Sequence, residues 1–367
     1  MSALPLAVNN WKGLRSGFMA GTIIGVSPRA ACDRGRVAVH GRDFDLRGGA
    51  PEVRLGDAPV RLASARPSRL TFRVPPDTAS GPTAIHVDGA DGDAPVVEIG
   101  TVVARGLHQV DNPAVDAEGR LYVTYSGARG ESVPVSIFRI GVDGTRESFV
   151  TGLVNPTAMI LGPDNHLYVS SRFEGVVYKV DESGQFETAV SDVGVACGLA
   201  FSPDGTLFVG DRSGTVFRVR SNGQATMIAT LPASVAAFHL AMGPDRCLYV
   251  TAPTLTSRDS VYRVHLNGEV EVVWSGFGRP QGLAFGPDGL LYVVEALAGA
   301  SGLYRLTPGR DPELMASGEG FVGLAFAAGY ALGRILLLLS RPGSAACTTS
   351  SIRRPGTSSA ISGCCSS

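Results

Sequence analysis

The chain has 367 residues, of which 44% are apolar and 18% charged, a balance that excludes an intrinsically disordered protein. Its formal net charge is −1 and it holds no long Lys/Arg run, so neither nucleic acid nor an anionic membrane surface is expected as a partner. Forty-seven glycines beside only 7% aromatic residues imply many tight turns joining short strands.

The N-terminal extension, residues 1–21, opens with the apolar run Ala3–Val8. That run is too short for a signal peptide, and Lys12 and Arg15 follow it instead of preceding it. The expectation is a cytoplasmic chain; export would need a start upstream of Met1. The six cysteines, Cys32, Cys197, Cys247, Cys347, Cys364 and Cys365, form no CxxC pair and no zinc-ligand spacing, which fits a reducing compartment.

Residues 22–99 alternate apolar and polar side chains in short runs such as Val37-Ala38-Val39-His40-Gly41, Leu70-Thr71-Phe72-Arg73-Val74 and Ala84-Ile85-His86-Val87. Short strands at such intervals predict a small β-sandwich. The order Ser27-Pro28, then Val37-x-Val39-x-Gly41-x-x-Phe44, then Val74-Pro75-Pro76 resembles the TIG-type immunoglobulin-like domain. That resemblance implies a spacer or a binding module.

From residue 100 the chain repeats itself. Anchor triplets stand at Leu121-Tyr122-Val123, Leu167-Tyr168-Val169, Leu207-Phe208-Val209, Leu248-Tyr249-Val250 and Leu291-Tyr292-Val293, spaced by 46, 40, 41 and 43 residues. Turns such as Pro163-Asp164-Asn165, Pro203-Asp204-Gly205 and Pro287-Asp288-Gly289 precede them, and alternating third strands such as Val177-Tyr178-Lys179-Val180 follow. Four strands at a period of 40–46 residues predict an all-β chain ending in a six-bladed β-propeller over 100–339. Gly100–Arg105 is expected to pair into the last blade and close the ring, removing free edges. The sixth blade reads as degenerate: its turn slot is Ala327-Ala328-Gly329, its anchor slot Leu332-Gly333-Arg334, and no third strand is evident. Residues 340–367 are rich in Ser, Thr, Cys and Gly and read as a disordered tail, an abrupt loss of pattern that a frameshift in the coding sequence would explain.

The hairpin geometry sorts positions by face. Residues just before each inner strand and just after each anchor share one mouth, where acids, amides and an imidazole converge: Asp111, Asn112, Asn155, Cys197, His239 and Gln281 lead in, while Arg172, Glu174, Asp211, Arg212 and Glu295 follow the anchors. Such a concave polar set is the default site for a small-molecule ligand. Carboxylate and amide oxygens suit Ca²⁺ or Mg²⁺ and tolerate Zn²⁺, so Asp111, Asn112, Asn155, Asp211 and Glu295 are candidate ligands of a divalent metal. Asp211 or Glu295 would then act as general base, with His239 as a further catalytic candidate. Arg172, Glu174, Cys197, Arg212 and Gln281 are candidate substrate contacts. The plain alternatives are an Asp211–Arg212 surface ion pair, a loop-capping Glu295 and a buried structural His239.

The strings Gly-Leu-Ala-Phe-x-Pro-Asp-Gly-x-Leu-Phe/Tyr-Val at 198–209 and 282–293 resemble the gluconolactonase and senescence-marker-protein family, and equally NHL-type repeats. The first resemblance implies lactone hydrolysis at one divalent ion held by Glu, Asn and Asp, with Asp111 or Asn112 at the first position and Asn155 as the Asn; Cys197 and Gln281 depart from that pattern. The second implies a non-catalytic binding or scaffold propeller.

Overall fold

The computed structural model describes residues 20–107, 111–297, 299–326, 334–339 and 345–351. It contains strands and turns and no helix among those residues, so none is long and apolar enough to cross a membrane.

Between residues 21 and 99 two sheets share one core. Gly21–Ser27, Arg36–Arg42, Leu62–Arg66 and Arg69–Arg73 lie in the first, and Val53–Leu55, Ala58–Val60, Gly81–Val87 and Val96–Ile99 in the second. Val37, Val39, Leu70 and Phe72 from one sheet meet Val53, Leu55, Ile85, Val97 and Ile99 from the other, all essentially sealed from solvent. Alternation puts these residues on one side of each strand, so burying that side is what selects the pairing register.

The rest of the described residues form six four-stranded antiparallel units. The second unit is typical: Pro156–Leu161, Leu167–Ser171, Val176–Val180 and Phe186–Val190 pair in chain order. The first begins at Ala114–Val115, the third at Ala196–Phe201, the fourth at His239–Met242 and the fifth at Pro280–Phe285. Each inner strand packs against the next, and that of the sixth unit, Phe321–Phe326, packs against that of the first.

The sixth unit corrects two expectations. Arg334–Leu339 pairs with Phe321–Phe326 as its second strand, and Ala345–Ser351 supplies the third. A third strand therefore exists, inside the segment read as a disordered tail. Its partner on the other side is Thr101–Leu107, so the strand ahead of the first unit is the outermost strand of the last. Residues 327–333, which hold the unusual turn, lie outside the described residues, as do 1–19 and 352–367.

The two parts of the chain are joined through a sheet edge. Ala30–Ala31 pairs in parallel with Glu313–Ser317, the outer strand of the fifth unit, and on its other side with Val96–Ile99. The fifth blade and one sheet of the N-terminal part thus form one continuous nine-stranded sheet. The join buries Ala30 and Cys32 among Leu303, Ala316 and Phe321, and it covers an edge that would otherwise invite pairing with another chain.

The anchor and turn motifs bond to each other. Tyr168, Tyr249 and Tyr292 each donate their hydroxyl to the turn carboxylate four residues earlier, Asp164, Asp245 and Asp288, at 3.0–3.1 Å. In the first unit Tyr122 finds Asp116 instead, at 3.0 Å. The same rings meet Phe201, Phe285 and Phe326 of the following inner strand edge-on, with centroids 5.0–5.1 Å apart. One aromatic residue thus holds both its own turn and the next blade.

The third residue of each turn has positive φ: Gly119, Asn165, Gly205, Arg246 and Gly289 span 60° to 84°. Arg246 is the only one of these that is neither Gly nor Asn, and an ordinary side chain in this region costs about 1 kcal/mol. Arg246→Gly is therefore expected to raise stability by up to ~1 kcal/mol in denaturant unfolding; an unchanged or lower midpoint would show that Arg246 makes a compensating contact.

Candidate functional site

Pairing register places the lead-in and exit residues together. Pro156 pairs with Ser171, Ala196 with Asp211, His239 with Thr251 and Pro280 with Glu295. The start of each inner strand and the end of the strand after it therefore open on the same mouth.

Near the starts of the inner strands lies a buried polar cluster. His239 stands in the slot that holds Gly198, Gly282 and Gly323 in the third, fifth and sixth units. Those slots have no room for a side chain: a Cβ on Gly282 would collide with Asn112 Oδ1, and one on Gly323 would lie within 3 Å of Asn112 Cα. The fully buried His239 reaches Asp111 of the first unit, its Nδ1 2.6 Å from Asp111 Oδ1. A carboxylate only accepts, so that nitrogen carries the proton. Its Nε2 lies 3.4 Å from Gln281 Oε1, and the Asn112 backbone N–H donates to the same Asp111 oxygen at 2.6 Å. Asn112 Nδ2 donates to the Leu283 carbonyl at 2.9 Å, while its Oδ1 accepts from the Leu324 N–H at 3.0 Å. The first, fourth, fifth and sixth units are tied together by these bonds. His239 is thus sealed from solvent, with Nδ1 engaged by Asp111.

The proposed metal ligands are engaged elsewhere as well. Asp211 Oδ1 accepts from the N–H groups of Val195 (2.8 Å) and Ser213 (3.1 Å), and Oδ2 accepts from the Ser213 hydroxyl. Glu295 Oε2 accepts from Gly278 N–H (2.6 Å), and Oε1 from Arg279 N–H (2.8 Å) and Leu297 N–H (2.7 Å). Both residues stand four positions past the start of their anchors, the slot Ser171 fills in the second unit by donating to the Val154 carbonyl at 2.7 Å. Three units therefore use this position to fasten the loop leading into the inner strand. Asp211 and Glu295 are loop caps, and no Asp211–Arg212 ion pair forms.

Asn155, read as a metal ligand, is also a clamp. It is fully buried at φ 47°, and its Oδ1 accepts from Gly130 N–H at 2.6 Å. Its Nδ2 donates to the carbonyls of Ala128 (2.8 Å) and Gly127 (3.3 Å). These bonds straddle Arg129 and fix the first unit's loop. Among the described residues no group of three or more His, Cys, Asp or Glu side chains could hold a metal. The donor set fits a divalent ion poorly, because Asp111 Oδ1, Asn155 Oδ1 and both carboxylate oxygens of Asp211 and Glu295 accept from protein N–H or O–H groups, and Asn112 spends its amide on two inner strands.

Among the expected substrate contacts, Cys197 and Gln281 lie beneath the mouth. Ser170 Oγ donates to the Cys197 carbonyl at 2.5 Å and Thr251 Oγ1 to that of Gln281 at 2.5 Å, each joining one unit to the next. Burial pushes the Cys197 thiol up to about 12, with Asp111 acting in the same direction, so it is no nucleophile near neutrality. Glu174 is exposed, but its Oε2 accepts from Tyr178 OH (2.9 Å).

The same loops carry arginines. Arg172 follows Leu167–Ser171 and Arg212 follows Leu207–Asp211, equivalent positions on neighbouring units, and Arg129 lies in the corresponding loop of the first unit. Arg172 is half-buried; desolvation holds its guanidinium below the usual range, Cys197 opposes this, and repulsion from Arg212 and Arg129 adds smaller contributions in the lowering direction. Arg129 escaped sequence reasoning because its loop is longer than its counterparts and fits no repeat slot.

No protein-family model matches the chain, and no curated protein does. Among solved structures it is similar to a putative gluconolactonase, at 18% identity over 69% of this chain and 92% of that one (TM-score 0.55), and to a gluconolactonase from Xanthomonas campestris, at 14% over 68% and 88% (TM-score 0.55). An auxiliary nutrient binding protein from Bacteroides thetaiotaomicron is similar over 91% of this chain and 98% of its own, at 12% identity (TM-score 0.51). These likenesses define the fold as a gluconolactonase-like propeller.

Two outcomes follow from the buried cluster. His239→Ala leaves a buried carboxylate without its partner and is expected to cost about 3–5 kcal/mol in denaturant unfolding; Asp111→Asn, which still accepts from Nδ1, should cost clearly less. Cys197 binds its proton more tightly folded than unfolded, so its contribution is intact below the ordinary thiol value of 9.0 and is lost as pH rises towards 12. Cys197→Ala should therefore flatten part of the fall in melting temperature across that window.

Proposed function

We propose that this chain is a non-catalytic, metal-independent propeller that binds a small molecule at the mouth formed by the lead-in and exit loops. In this reading the six units are the blades of one closed ring, and the N-terminal part is a TIG-type sandwich that braces the fifth blade through the Ala30–Ala31 strand. The observation that carries the reading is the commitment of the mouth's acids. Asp111, Asp211 and Glu295 all hold the fold together, whereas lactone hydrolysis at a metal would need such groups turned to the ion and the substrate. The auxiliary nutrient binding protein shares the fold across both parts of the chain, and that likeness carries the fold alone.

The reading is tested by thermal unfolding with Ca²⁺, Mg²⁺, Zn²⁺ or EDTA. No ion is expected to shift the melting temperature, since an ion bound only by the native state must raise it. Asp211→Ala and Glu295→Ala should each lose about 1–3 kcal/mol by leaving N–H groups unpaired, whatever ion is present. A shift of several degrees with one ion, abolished in both variants, would restore the metal-dependent hydrolase.

A further inference from the structure

We propose that the ligand of this mouth is an organic anion with an apolar body, its acid group held by Arg129, Arg172 and Arg212; this rests on reading the mouth as a binding site. The three arginines sit on the exit loops of consecutive units, so ring order sets them side by side along one arc. None makes an ion pair among the described residues, and Arg172 is half-buried with cations as its charged neighbours. Gathering like charges is unfavourable unless an anion joins them, and a guanidinium presents paired donors matched to carboxylate or phosphate oxygens.

The arc is built beforehand. Asn155 clamps the loop on both sides of Arg129, and a Cβ on Gly130 would lie 3.0 Å from the ring of Phe173, so that loop rests on the residue next to Arg172. Arg212 is fixed through its backbone, its N–H donating to the Val195 carbonyl (3.1 Å) and its carbonyl accepting from Ser234 N–H (2.9 Å). Side-chain ordering therefore costs little further backbone entropy on binding.

Past these arginines the loops add exposed apolar side chains, with Arg258 exposed among them. The fourth and fifth units present Val235, Leu255 and Leu297, which are 45%, 91% and 46% exposed. Apolar side chains grouped at the rim of a concave opening mark a contact surface. A ligand lies across the opening, its acid on the arginine arc and its body on these side chains.

The experiment uses the full chain and a panel of aryl and alkyl acids, each as the matched carboxylate, phosphonate and neutral amide, read by melting-temperature shift and then by calorimetry. Carboxylate or phosphonate members are expected to stabilise the protein where their amides do not. Arg172→Gln and Arg212→Gln, whose side chains make no hydrogen bond to lose, should unfold as the parent does and bind at least about tenfold more weakly. Leu255→Ser should weaken members with longer apolar bodies more than short ones. Equal binding of amides and acids, or arginine variants that bind as the parent, would overturn the anionic ligand while leaving the binding reading intact. No shift with any member, charged or neutral, would overturn both.

Discussion

The hydrogen bond between Asp111 and His239 is the contact on which the arrangement of this propeller depends. It joins the first unit to the fourth, and the slot of His239 holds glycine in three other units, where the neighbouring strand or Asn112 leaves no room for a Cβ. A propeller whose axis stayed open could admit water or an ion between its inner strands. Here an imidazole, a carboxylate and two amides lie together, and the hydrogen bonds of Asp111, Asn112 and His239 link units far apart in the chain.

The same economy runs through the mouth. The position that carries Ser171, Asp211 and Glu295 ties each loop to the strand it enters, by a hydroxyl in one unit and by carboxylates in two others. Repeats make this exchange possible, because each unit needs the loop fastened but not by a particular side chain. Acids gathered at a concave surface can therefore reflect a repeated structural task. Here the lone pairs of Asp211 and Glu295 meet backbone N–H groups of these loops.

Ring closure and domain attachment follow a shared logic. A blade's outer strand exposes unpaired backbone groups. The sixth unit meets this by borrowing Thr101–Leu107, and the fifth by accepting Ala30–Ala31. The N-terminal part is thereby built into the propeller's edge, with Cys32 N–H donating to the Ser317 carbonyl at 2.8 Å. A covalent repeat array and a preceding β unit thus become one continuous hydrogen-bonded body.

The repeat, its turns, the sharing of a mouth by lead-in and exit residues and the return of residues near 100 to the last blade were all legible in the sequence, because period, turn chemistry and strand alternation are local properties of the chain. The third strand at 345–351 was not, since its pairing is decided by partners at Arg334–Leu339 and Thr101–Leu107 and not by its own composition. The candidate site divided in the same way. Residue type put Asp111, Asn155, Asp211, His239 and Glu295 at one mouth, but only the folded chain decides which hydrogen-bond partners each meets, and there all five bond to other groups of the protein. Arg129 became visible only when Asn155 closed on its loop, a contact between residues 25 apart in sequence and on adjacent units. Local pattern determines where side chains are delivered; the partners awaiting them come from other units, and tertiary structure alone settles whether a delivered group is spent or left for a ligand.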